Sequence, residues 1–313
     1  AATMARVAVP PMRRYGYSDA LAAGSVAAGG TLGILIPPSI VLVIYGIMTE
    51  TDIGALFIAG LVPGVLGIVL YMAAIWIWAV LRPGVAPAAP PLPMREKLRS
   101  LKSVFWVLAL FGLVVGGIYT GLFTPTEAAG IGAFGALLIA LARRRLTLRG
   151  LVDTVHDSAM TTAALLTILI GALIFANFIN IARLPQFLGE LVQHAGLSPF
   201  MVILAIIGVY LVLGCLLESM SMLLLTVPIF YPIAAGLGFD LVWFGILVVV
   251  VIEIAMITPP IGMNIFIIRA VLPDVPTLTL FRGVVPFILA DLVRVALLLA
   301  FPALSLWLPG LMR

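Results

Sequence analysis

A single cysteine, Cys215, serves a chain of 313 residues, which excludes an internal disulfide. The two histidines, His156 and His194, stand far apart, and no Cys/His cluster suggests a metal cage. Charge is scarce too. Asp, Glu, Lys and Arg make up 10% of the residues, against 63% hydrophobic and a mean hydropathy of +1.27. A soluble globule carries about 45–50% apolar residues, so that class is excluded. The chain reads as an all-α polytopic membrane protein embedded in a lipid bilayer. No nucleophile and base are placed for catalysis, so an enzyme is not expected. The net charge of +4 sits in loops between apolar runs. It reports membrane orientation and implies no nucleic-acid partner.

What the chain has in quantity is apolar sequence interrupted by proline. In EIAMITPPIGMNIFIIR, residues 253–269, Pro259 and Pro260 remove two backbone donors and clash with the preceding turn. The flanks 246–256 and 265–272 are each shorter than the about 20 residues that cross a bilayer. Together they suffice. The expectation is one membrane helix in two halves, with an unwound waist over 258–264 that is tolerated at depth only inside protein or lining a site. Residues 31–46, TLGILIPPSIVLVIYG, repeat the design. A displacement of 222 places pairs Gly16 with Gly238, Tyr17 with Phe239, Pro37 with Pro259 and Pro38 with Pro260. One further place pairs Gly60 with Gly283 and Pro63 with Pro286. Such paired interruptions in two halves point to the binding site of a transporter.

The remaining chain fits around these two breaks. Residues 199–217, a polar tip at 218–221 and residues 222–232 read as a re-entrant helical hairpin. The opening AATMARVAVPPM aligns its Val9-Pro10 with Val227-Pro228 of that hairpin. The chain is therefore expected to start on the descending arm of an equivalent first hairpin, with the tip lacking. The first broken helix is expected over 17–36 and 39–48, with full spans at 56–81, 103–122, 126–142, 158–179 and 283–308. Tyr71, Trp76 and Trp78 read as an interface belt, 83–102 as a proline-rich linker, and 148–157 and 183–194 as interfacial helices. On this plan residues 1–52 and 196–275 form a transport region, and 53–195 and 276–313 a scaffold. Four spans separate the first broken helix from the later hairpin, so the two halves run antiparallel. Thirteen basic residues, from Arg13 to Arg282, then share one face, against Arg183 and Arg313 on the other, with Arg6 and Arg294 inside membrane segments. The first face is cytoplasmic.

Four stretches, GTLGILIPPSIVLVIYG, GLFTPTEAAGIGA, ESMSMLLLTVPIFYP and ITPPIGMNIF, occur in that order along the chain. They resemble the large membrane subunit (DctM type) of tripartite ATP-independent periplasmic (TRAP) transporters. The resemblance implies an elevator-type symporter of the bacterial inner membrane, with inverted repeats like those of the wider ion-transporter superfamily. It would import a small organic carboxylate, with Na+ as coupling ion and no other cofactor. Its partners would be a small four-helix membrane subunit (DctQ type) and a periplasmic substrate-binding protein (DctP type). The alternatives are a binding-protein-independent dicarboxylate/Na+ symporter of the same superfamily, and a channel. The serine-rich stretch that precedes AAT in the family is missing, so an N-terminal part is expected to be absent.

Carried over by motif, a first Na+ site would use Thr31, Gly33, Pro37, Pro38 and Ser39, with Thr3 from the first hairpin. A second would use Thr258, Pro259, Pro260, Gly262 and Asn264, with Ser219 and Ser221, and the substrate would lie between the tips. Unwound carbonyls can replace water around a hard cation, and a half-helix N-terminus points its positive end at an anion. Ser and Thr at such breaks serve equally well by bonding their own backbone. Glu218, on a hairpin tip at depth, needs a partner or a cation. Glu253, one turn before the second break, could gate protons, coordinate or pack. Asp291 and Arg294, three apart on one helix, are expected to neutralise each other, and Glu127 to start a helix.

Overall fold

The computed structural model describes residues 1–87, 93–144, 146–194, 196–260 and 262–311. Arg145 and Arg313, the side chains of Lys97, Arg99 and Lys102, linker residues 88–92 and Ile261 of the second waist lie outside the described residues. The described elements are all helical. Two compact units emerge, one of residues 1–89 with 178–311 and one of 90–177.

The first unit opens with α1 (Ala2–Arg14), α2 (Asp19–Thr31), a short 3-10 turn over Leu32–Ile34, α3 (Ile40–Thr49) and α4 (Ile53–Leu81). It resumes beyond the second unit with α8 (Leu184–His194), α9 (Pro199–Gly214), α10 (Ser219–Gly236), α11 (Leu241–Ile257), α12 (Met263–Val271), α13 (Thr277–Ala300) and α14 (Ala303–Gly310). The second unit holds α5 (Met94–Tyr119), α6 (Pro125–Ala142) and most of α7 (Leu148–Ile181). Among the described residues α4, α6, α7, α10 and α13 are long and apolar enough to cross a membrane.

The paired corners of the sequence have the same local build. Gly16 N–H donates to Arg13 O at 3.0 Å and Tyr17 N–H to Met12 O at 3.1 Å; Gly238 and Phe239 donate to Ala235 O and Ala234 O at the same 3.0 and 3.1 Å. Both glycines are left-handed, at φ +78° and +80°, which is why glycine ends each helix. The next helix then starts on a side-chain cap, Ser18 for α2 and Asp240 for α11.

The two broken helices lie against each other. Asn264 meets Ala27, while further along Tyr45 meets Leu241 and Gly245. Numbers rise on one helix as they fall on the other, so the pair runs in opposite directions. The spans that follow behave likewise. Tyr71 of α4 meets Asp291 and Phe287 of α13, and Arg82 and Arg282 line one recess at the other end. α2 and α13 approach more closely still, because Gly24 and Gly283 let their backbones touch.

Several expectations change. Residues 148–157 do not form a separate interfacial helix but the first turns of the unbroken, 34-residue α7. The linker is shorter than 83–102, because α5 is already helical from Met94. The last span is interrupted at 301–302, where Pro302 starts α14. Glu127 does start a helix: its Oε2 accepts the Thr124 N–H at 2.8 Å, completing a capping box for α6.

Candidate functional site

At the first break, α2 tightens into its 3-10 turn, a cis bond joins Pro37 to Pro38, and Ser39 caps α3. Ser39 Oγ accepts Leu42 N–H at 3.2 Å and donates to Ile34 O. Thr31 is fully buried and its hydroxyl donates to Ala28 O at 2.7 Å. Pro37 is buried, whereas Gly33 and Pro38 are exposed, and a side chain at Gly33 would meet open space. Thr3 is exposed on α1, whose first residue, Ala1, lies against Gly30 at the end of α2. The start of α1 and the first waist are thus neighbours.

At the second break, Thr258 ends α11 in extended conformation and its hydroxyl donates to Ile254 O at 2.6 Å. Pro259 and Pro260, again cis, are exposed. The C-terminal end of α9 reaches this waist, since Cys215 Sγ donates to Pro259 O at 3.5 Å and Gly214 packs on Ala255. Asn264 is buried and its Nδ2 donates to Ala27 O at 3.2 Å, tying the second waist to the first broken helix. Gly262 takes φ +56° and starts α12 with no side-chain cap. An alanine there would be held left-handed, with its Cβ 3.1 Å from Ile265 Cδ1. Gly262→Ala is expected to cost about 1–2 kcal/mol, seen as a lower midpoint of thermal unfolding in detergent.

Glu218, between α9 and α10, is the cap of α10. Its carboxylate accepts the Ser219 hydroxyl at 2.7 Å and the N–H groups of Met220 and Ser221 at 3.0 and 3.2 Å. The partner that sequence reasoning asked for is a helix N-terminus, where a negative charge is favoured. The Ser219 hydroxyl is thus taken up by Glu218, while Ser221 meets it through its backbone N–H alone. No direct bond joins either to Thr258 or Asn264 among the described residues.

Both waists leave backbone groups open. Among the described residues no donor reaches the carbonyls of Ile36, Pro37 and Pro38 in the first, or those of Thr258 and Pro260 in the second. Unpaired carbonyls are costly at membrane depth and are suited to a dehydrated monovalent cation. The halves beyond the breaks differ. The N-terminus of α3 is capped by Ser39, whereas that of α12 begins at Gly262 with no side-chain cap among the described residues.

Sequence reasoning missed one constellation. Glu253 of α11, Asp291 and Arg294 of α13 and Tyr71 of α4 meet in the protein interior, the three charged residues at 0% exposure. Arg294 Nη2 donates to Glu253 Oε2 and lies 2.9 Å from Asp291 Oδ1, while the Tyr71 hydroxyl donates to Asp291 Oδ2 at 2.6 Å. Asp291 and Arg294 do pair as expected, but Glu253 joins them, and Tyr71 is a buried partner rather than an interface aromatic. A methyl group on Gly67 would stand 2.4 Å from Arg294 Nη1, so glycine makes room for the guanidinium. The signal in the sequence was three ionisable residues inside apolar runs, which rarely occur unpaired.

Residues 1–304 match the family described as Tripartite ATP-independent periplasmic transporter, DctM component. The chain belongs to this family. Among curated DctM relatives, the C4-dicarboxylate TRAP transporter large permease protein of Pseudomonas aeruginosa is 40% identical over 99% of this chain and 72% of its own length. The sialic acid TRAP transporter large permease protein SiaM of Vibrio cholerae is 35% identical over 98% and 72%. The ectoine/5-hydroxyectoine large permease protein UehC of Ruegeria pomeroyi is 34% identical over 96% and 70%. As a DctM-family chain this is a multi-pass membrane transport permease and no enzyme.

Proposed function

We propose that the chain imports a small organic carboxylate across the bacterial inner membrane, coupled to Na+. The observation that carries this reading is the pair of oppositely directed broken helices, with carbonyls at both waists and the N-terminus of α12 left without a partner among the described residues. Cations bound at the waists would offset the charge of the carboxylate beside them, since an isolated anion is prohibitive in low dielectric. Thr31, Gly33, Pro37, Pro38 and Ser39, with Thr3, would serve the first Na+ site. Thr258, Pro259, Pro260, Gly262 and Asn264, with Ser219 and Ser221 from the hairpin tip that Glu218 caps, would serve the second. A C4-dicarboxylate is the first substrate to test, from the name of the 40% identical relative.

The opposite senses of the paired helices and their matching corners support an inverted repeat, and with it an elevator mechanism. The shared packing supports a moving part that includes α4 and α13 with the hairpins and broken helices. A DctQ-type small subunit and a DctP-type binding protein complete the assembly.

The test is uptake of radiolabelled succinate into proteoliposomes holding the assembly, with either a Na+ or a proton gradient. Uptake is expected only with Na+ and the binding protein present. Equal uptake without Na+ defeats the coupling assignment, and full uptake without the binding protein would place the chain among the binding-protein-independent symporters.

A further inference from the structure

Away from the waists, α4 and α13 leave a groove of 380 Å³ between them, walled by Ala74, Ile77 and Trp78 on one side and Pro286, Leu289 and Val293 on the other. Its lining is apolar throughout. A second recess, of 450 Å³, shares Trp78, Leu81 and Pro286 with the groove and adds Arg82 and Arg282. Both arginines are exposed, and among the described residues neither pairs with a carboxylate. Arg82 follows the last turn of α4, and Arg282 lies in the second turn of α13. The basic bias of the chain puts this end at the cytoplasmic face.

The combination selects among occupants. A free anion would use the arginines and leave the groove idle, while an apolar helix would use the groove and gain nothing from two cations at its end. A lipid with an anionic headgroup uses both. Guanidinium forks match phosphate oxygens, and basic recesses between membrane helices at the cytoplasmic face hold such headgroups.

We infer that the α4–α13 groove binds an anionic phospholipid, with an acyl chain along the Ala74–Trp78 and Pro286–Val293 walls and its phosphate held by Arg82 and Arg282. Trp78 stands where the two recesses join, so it reports occupancy. The full permease, in vesicles containing phosphatidylglycerol or phosphatidylcholine brominated in the acyl chains, is followed by tryptophan quenching, with Trp78→Phe isolating the signal. Half-maximal Trp78 quenching is expected at a far lower mole fraction of phosphatidylglycerol. Arg82→Gln with Arg282→Gln should raise that fraction by about 30-fold and abolish the preference, from the usual attraction of two basic residues to an anionic headgroup. Arg82→Lys with Arg282→Lys should keep most of it, and inorganic phosphate should not compete. Equal quenching by the two lipids, a preference that survives the double Gln variant, or displacement by inorganic phosphate would overturn the assignment. So would absence of Trp78 quenching, which would mean that a protein segment or a second copy fills the groove.

Discussion

Arg294→Met is expected to cost about 3–5 kcal/mol, because removing one partner of a buried ion cluster leaves uncompensated charge behind. Whole proteins are stable by only about 5–15 kcal/mol, so little folded protein should survive extraction from the membrane. Here two carboxylates depend on one guanidinium, and all three side chains are shut off from solvent. Asp291→Asn should be much milder. It leaves Glu253 and Arg294 as a balanced pair and still offers Tyr71 an acceptor. Replacing all three, with Glu253→Gln, Asp291→Asn and Arg294→Met, should recover much of the loss, since no charge then stays buried. Yield of monodisperse protein and the midpoint of thermal unfolding read out the series. If Arg294→Met were as stable as the parent, the cluster would not be buried as described.

Gly283→Ala is expected to separate α2 from α13 and lower stability by about 1–3 kcal/mol or more, as overpacking does. The added Cβ would lie 2.2 Å from Ala20 O, and one at Gly24 would lie 2.1 Å from Gly283 O. The obstacle in both cases is backbone, so no rotamer change relieves it. Gly24→Ala should behave alike, and the double variant should cost less than the sum, because one opened seam admits both methyls. Gly208→Ala is the control. Nothing lies within 4 Å of its Cβ, so the helix-propensity gain of about 1 kcal/mol should appear. Thermal unfolding in detergent and initial uptake rates in proteoliposomes distinguish the two classes.

The breaks, the corners and the family were legible because proline and glycine act locally. Pro37-Pro38 and Pro259-Pro260 forbid a continuous helix whatever surrounds them, and Gly16 and Gly238 mark left-handed turns. The roles of single polar groups were less legible. Glu218 could be read as needing a partner, but that its partner would be the helix beginning beside it depended on where α10 starts. Tyr71 looked like an interface aromatic because hydropathy does not reveal which way a residue on a long apolar helix faces. The union of Glu253 with Arg294 joins residues 41 apart on two different helices, a pairing that neither spacing nor charge alone selects.

The unbroken α7 sets a limit of its own. At about 1.5 Å per residue, its 34 residues extend roughly 51 Å, against a hydrocarbon layer of about 30 Å. Tilt alone would have to exceed 50°, beyond the roughly 0–40° found for membrane helices. Some turns must therefore stand outside the hydrocarbon layer, and the end bearing Asp153, His156 and Asp157 is the polar part suited to do so. It forms a rigid post on which a label or affinity handle could be mounted without disturbing the membrane-embedded turns.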